Sequence, residues 1–149
     1  MSLPDNQQYL WGVAPSACDF DQVWEKVIPL IDRAIEYADG KYGAEDIYKA
    51  LKNREMQLWV AFTKVGALSA FCITKITHYP REKRGAILFA SGHNVMEWLP
   101  FCKTIQNWAR ENGCTSMEVY GRRGWKKLLK QYGYYEIHTV LKVDLPSLH

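Results

Sequence analysis

The sequence predicts a single α/β domain built on a mixed sheet, and three observations carry that prediction. Apolar residues recur with period two in some stretches and near 3.6 in others, so strands and helices both occur. Residues 85 to 134 read strand, helix, strand: GAILFASG, then VMEWLPFCKTIQNWARENG, then CTSMEVYG, with RRGWKKLLKQYGY behind them. That order makes a β-α-β unit, whose crossover is right-handed and whose strands are parallel. The chain has 149 residues, 48% of them hydrophobic and 13% aromatic, enough for one proper core and too few for two ordinary domains. The expected order of elements is β-α-α-β-β-β-α-β-α-β.

Each element has a local justification. YLWGV at 9 to 13 predicts a short first strand, ended by Pro15 and Ser16. Asp19 or Asp21 suits the N-cap of a helix that buries Val23, Trp24, Val27, Ile31, Ala34 and Ile35 and stops at Gly40. Pro29 is expected to kink or divide that helix, since it lacks the N–H and its ring meets the preceding turn. AEDIYKALKN predicts a second helix with Ile47, Ala50 and Leu51 inward. QLWVAFTK (57 to 64) and ALSAFCITKITHY (67 to 79), joined at Val65 and Gly66, predict an antiparallel hairpin. A turn at Pro80 to Gly85 leads into the strand AILFA.

In the crossover helix Trp98, Phe101, Cys102, Ile105, Trp108 and Ala109 define one apolar face. Its start is open between two signals. Asn94 with Glu97 three residues on reads as a capping box, whereas Pro100 suits a helix beginning near Leu99. A last short helix carries Trp125, Leu128, Leu129 and Tyr132 on one side, with Gly133 as its left-handed cap. YYEIHTVLKVDL then alternates like a long final strand.

Composition excludes several classes. No apolar run reaches the roughly 20 residues of a membrane span, and MSLPDNQQ lacks the basic-then-apolar order of a secretory signal, so a cytosolic location is expected. Cys18, Cys72, Cys102 and Cys114 form no Cys-x-x-Cys pair and have no histidine placed to complete a ligand set, so no metal is expected. Cys72 and Cys102 fall within apolar patterns and read as small buried hydrophobes; Cys114 would be reactive if exposed. The net charge of +3 is unevenly spread, acidic in residues 1 to 50 and basic from Lys103 to Lys130. A basic C-terminal half suits an anionic ligand, a phosphorylated cofactor or nucleic acid, or is simply a solvated face.

In a β-α-β unit ligands collect where the first strand hands over to the helix. Here that place is Ser91, Gly92, His93 and Asn94. One glycine permits a turn with positive φ, and Ser91 and Asn94 carry hydrogen-bonding side chains. The same residues equally serve to turn the chain and cap the helix.

The element order, together with ENGCTSMEVYGRRGWKKLLKQYGYYE and its closing Gly133-Tyr134 pair, resembles the GNAT superfamily of N-acetyltransferases over nearly the whole chain. QLWVAF, THYP, EWLPF, NWARENGC and GRRGW together are similar to phage-encoded GNAT-like proteins. The resemblance implies a GNAT-like acyl-CoA N-acyltransferase fold, its mixed sheet splayed between the fourth and fifth strands with acetyl-CoA as co-substrate in the gap. It implies cofactor contacts from Phe89, Ala90, Ser91, Gly92, His93, Asn94 and Val95, with Arg122 and Trp125 at the far end of the cleft.

Two departures stand against it. Catalytic relatives carry an Arg/Gln-x-x-Gly-x-Gly/Ala loop whose backbone N–H groups hold the pyrophosphate, where this chain has Ser91-Gly92-His93-Asn94-Val95. Leu129 stands where many relatives place a general-acid tyrosine. Candidate substitutes for proton transfer are Tyr120, His93 and Glu97, each with a plainer alternative as a strand aromatic, a loop residue or a capping partner. Trp125 likewise has a core reading, and Arg122 a place on an exposed basic face.

Two functions therefore remain in view. One is an acetyl-CoA-dependent N-acetyltransferase acting on an amine. The other is a non-catalytic GNAT-fold binding or assembly module, phage-associated, using its basic C-terminal face. Expected partners are acetyl-CoA and an amine acceptor, with a second copy of the chain or a phage or host protein as alternatives, and neither nucleic acid nor membrane. For a phage-encoded chain the place would be the host cytoplasm or the virion.

Overall fold

The computed structural model describes residues 7–13, 19–36, 38–63, 67–93, 99–121 and 123–148. Five strands form one sheet in the order β1-β2-β3-β4-β5, with β1 Gln7–Val13, β2 Gln57–Thr63, β3 Leu68–His78, β4 Lys83–Gly92 and β5 Ser116–Val119. The first four are antiparallel neighbours, while β4 and β5 run parallel from Arg84↔Ser116 to Ile87↔Val119. The mixed sheet expected from the β-α-β pattern is thus present. The Val65–Gly66 turn of the hairpin lies outside the described residues, but the β2–β3 ladder it would join is antiparallel as expected.

Helices α1 (Asp19–Ile35) and α2 (Ala44–Lys52) cover one face of the sheet. Phe20, Trp24, Val27 and Ile31, spaced four, three and four apart, put one stripe of α1 against Leu58, Val60, Phe71 and Ile73 of the sheet. Phe20 begins that stripe one turn ahead of the expected Trp24. The helix runs unbroken through Pro29, which is exposed, and ends at Ile35, ahead of Gly40. The predicted division at Pro29 does not occur. In α2 the expected Ile47, Ala50 and Leu51 are buried, and the Asp46 carboxylate accepts a hydrogen bond from the Gly43 N–H at the helix start (2.9 Å).

Helix α3 (Cys102–Glu111), preceded by a 3-10 turn at Leu99–Phe101, covers the other face. The described part begins at Leu99, with Pro100 in its first turn; Asn94 and Glu97, on which the other expected start rests, lie outside the described residues. Ile105 and Trp108 pack on Trp59, Cys72 and Ile87, and the Trp59 and Trp108 rings meet edge to face at 5.4 Å. The buried Thr74 hydroxyl accepts the Trp59 indole N–H at 2.9 Å. Helix α4 (Arg123–Leu129) continues as a 3-10 turn to Tyr132, closed by Gly133 at φ 89°, as its sequence requires.

Strand β4 contains one irregularity. Thr74 faces Ile87 and Ile73 faces Phe89, so Leu88 is an extra residue in β4, and the strand's alternation is reset there. Ile87 and Ala90 look toward α3, while Leu88 and Phe89 pack on the α1 side.

The predicted last strand, residues 134 to 145, is not formed. The segment continues without a ladder, and Leu141, Val143 and Leu145 are 89%, 78% and 85% exposed. Period-two patterning supplies a strand with an apolar face but not with a neighbour to bond. Here Lys126–Glu136 and Lys142–Asp39 ion pairs hold the tail across a broad groove from β5, whose outer edge is the one it would need.

Candidate active site

The β4–β5 pairing stops early. The Tyr120 N–H still donates to the Ile87 carbonyl (2.9 Å), but beyond it β4 runs on to Gly92 while β5 has ended. The strands therefore part at the expected place. On the α3 side of the parting lies an apolar cavity of about 70 Å³. Along the open β5 edge runs the broad groove, lined by polar and apolar groups from the end of α1, from Gln106 and Arg110 of α3 and from the tail. Ala90, Val119, Tyr120, Trp125 and Leu129 line both, so cavity and groove meet between the diverging strands.

Tyr120 stands at that junction. Its hydroxyl donates to Glu118 Oε2 at 2.6 Å, and this bond, more than burial, pushes its pKa well above the ordinary tyrosine value. It stays protonated at neutral pH and is a donor. Burial raises the Glu118 carboxyl, but hydrogen bonds from Tyr120 and Arg84, with the charges of Arg84 and His138, outweigh that and leave it below its usual value. Arg84 also bridges to Glu82, which accepts from the Thr115 hydroxyl at 3.0 Å.

This network makes an acid-sensitivity prediction. Glu118 has a folded pKa below its unfolded value near 4.5, so its contribution is complete above that pH and is lost as pH falls through the lower, folded value. Glu118→Gln is expected to cost about 1 kcal/mol at pH 7 and to flatten the fall in stability below pH 4.5. Urea unfolding followed by circular dichroism from pH 7 to 3 checks both; parallel curves for the two proteins would contradict it.

The expected phosphate cradle takes another form. Ser91 and Gly92 are not a turn but the end of β4, paired with Phe71 and Ala70. A side chain at Gly92 would come within 2.5 Å of the Ala70 Cβ, so glycine is there for close strand approach and not for a left-handed turn. The His93 N–H donates to the Ser69 carbonyl at 2.9 Å and extends the same ladder. Ser91 lines the groove, whereas His93 lines neither groove nor cavity. Phe89 is buried against Tyr42 on the α1 side and borders the groove. Asn94, Val95, Glu97 and Arg122 lie outside the described residues.

Trp125 packs with Leu99, Cys102 and Leu129, as its core reading expects, and also lines the cavity. Leu129 is buried in that cluster and offers no proton. Cys72, Cys102 and Cys114 are all buried, so the exposure that a reactive Cys114 would need is not present; burial also raises its thiol pKa. Sequence reasoning missed two groups. Glu118 lies two residues before Tyr120 and so on the same strand face, a signal that was available. The Tyr134 hydroxyl is buried with the Gln106 side chain beside it, and burial pushes its pKa up to about 12. Only the packing reveals that.

No protein-family model and no curated protein sequence matches the chain. Solved structures do. A ribosomal-protein-alanine N-acetyltransferase from Brucella melitensis biovar Abortus 2308 superposes with TM-score 0.63 at 15% identity, covering 94% of this chain and 99% of that one. An aminoglycoside acetyltransferase from an uncultured soil metagenomic sample gives 0.67 at 11% identity, over 97% and 100%. A Clostridium acetobutylicum protein described as an acetyltransferase and solved with acetyl-CoA gives 0.66 at 12% identity, over 93% and 96%. The chain has the GNAT acetyltransferase fold. At the parting of β4 and β5 this chain places Tyr120, Ala90 and Trp125. Among the described residues no helix is long and apolar enough to cross a membrane.

Proposed function

We propose that the protein is an N-acetyltransferase that takes acetyl-CoA on the α3 side of the β4–β5 parting and an amine from the groove. The observation that supports this most is the junction of an apolar cavity with a broad groove of mixed lining at a protonated tyrosine. Ala90, Val119, Trp125 and Leu129 give the acyl arm an apolar channel that excludes water. The amine nitrogen attacks the thioester carbonyl; the C–N bond forms, the C–S bond breaks, and the electron pair leaves on sulfur. Tyr120 turns its hydroxyl from Glu118 to the departing sulfur, donates the proton the thiolate needs and recovers one from solvent. The nitrogen sheds its proton to water in the groove. Most of the rate advantage in such a site comes from holding the two reactants together, which does not require the missing tyrosine at Leu129.

The test is thermal unfolding with added acetyl-CoA. At a hundredfold excess over the dissociation constant a ligand stabilises by about 2.7 kcal/mol, a rise in Tm of roughly 5–10 °C for a chain of this size. An unchanged Tm at millimolar acetyl-CoA sinks the proposal.

A further inference from the structure

The cavity is deeper than an acetyl group requires. Its floor runs from Val119 on β5 across Ala90 on β4 and Cys72 and Ala70 on β3 to Ala61 on β2. At about 4.8 Å per strand that is three spacings, roughly 14 Å from the parting. A thioester seated between β4 and β5 with two acyl carbons fills only the first of them. The space persists because small side chains line the floor while Phe101 and Ile105 of the α3 layer roof it.

The chemistry of the lining is as restrictive as its shape. Cys72 and Cys102 are both held protonated by burial, Cys102 with its pKa raised to about 11, so they act as small apolar groups and not as nucleophiles. Leu129 and Trp125 close the walls. A dry apolar cavity of about 150 Å³ admits benzene. One of about 70 Å³ has room for roughly half as many carbons.

We propose that the acyl donor this site prefers is a CoA thioester of a short unbranched aliphatic acid of about four carbons, its chain lying over Ala90 and Cys72. The inference rests on the N-acetyltransferase reading and adds its acyl specificity. A carboxylate at the chain's end is rejected, since nothing in the lining compensates a buried charge.

Isothermal titration of the full chain with CoA, acetyl-CoA, butyryl-CoA and succinyl-CoA tests it without requiring the acceptor. Each added CH₂ that is buried strengthens binding about fourfold, so butyryl-CoA is expected to bind about 15-fold tighter than acetyl-CoA. Succinyl-CoA, of the same length, is expected to bind no tighter than acetyl-CoA. Cys72→Leu fills the space one strand spacing from Ala90 and should bring the butyryl-to-acetyl ratio toward one; Cys72→Val serves if that variant fails to fold by circular dichroism. Acetyl-CoA binding with butyryl-CoA no tighter overturns the acyl-length inference alone, as does a ratio unmoved in the filled variants. Absence of binding by all four thioester and thiol ligands overturns the acetyltransferase reading and takes this inference with it.

Discussion

Tyr120→Phe is expected to lower turnover about a hundredfold while acetyl-CoA affinity stays within about twofold. The change removes one oxygen and keeps the ring, so the lining of cavity and groove is preserved. What disappears is the proton donor, and general-acid catalysis by a placed side chain is worth about 10²–10⁴. The loss should fall on kcat and not on the KM for acetyl-CoA, because the hydroxyl is needed by the departing sulfur and not by the bound thioester. Release of CoA thiol against a panel of primary amines, read with a thiol reagent, supplies the measurement. Glu118→Gln gives the contrasting case: it leaves the phenol in place but removes the carboxylate that orients it and raises its pKa, so a smaller fall is expected. If the phenylalanine variant turns over at the parent rate, Tyr120 has no part in proton transfer.

Phe71→Ala is expected to cost about 3–5 kcal/mol, the range for truncating a fully buried aromatic. Phe71 is 1% exposed at the middle of β3, opposite Val60 and Ser91, and packs in the layer with Phe20, Val27 and Ile31 of α1. Neighbours on both strands and on the helix are fixed by their own ladders, so the vacated volume does not collapse readily. Against a total of about 5–15 kcal/mol for an ordinary domain, this is a large share of the stability. Guanidinium unfolding should show the midpoint fall with the slope unchanged. A loss below about 1 kcal/mol would mean that the α1 layer repacks, contrary to the close fit described.

Most of the fold was legible in the sequence because it is written in local periodicity. The α1 and α2 stripes, the β2–β3 pair, the crossover helix and the Gly133 cap each depend on residues within a few positions of one another. The failures came where a distant partner decides. Ser91 and Gly92 read as a turn because serine and glycine favour turns, but Ala70 and Phe71 draw them into the ladder. YYEIHTVLKVDL reads as a strand, yet no edge comes within reach of it. The parting of β4 and β5 and the position of Tyr120 came from the family resemblance. The cavity beside them, made by Ala61 and Ala70 on strands remote in sequence, was not legible at all.

The extra residue at Leu88 has a consequence for how the protein can vary. Deleting Leu88 would restore strict alternation and leave the rest of the strand facing as it does, with Ile87 still opposite Thr74 and Phe89 still opposite Ile73. The Phe89 ring would stay in the α1 layer and Ala90 on the cavity side, and the α1 layer would lose one apolar side chain. Point substitutions at these positions adjust the site by degrees. A change in the count of residues at the bulge would leave the channel open, so at this place the strand can shorten by one residue without turning its site-facing side chains over.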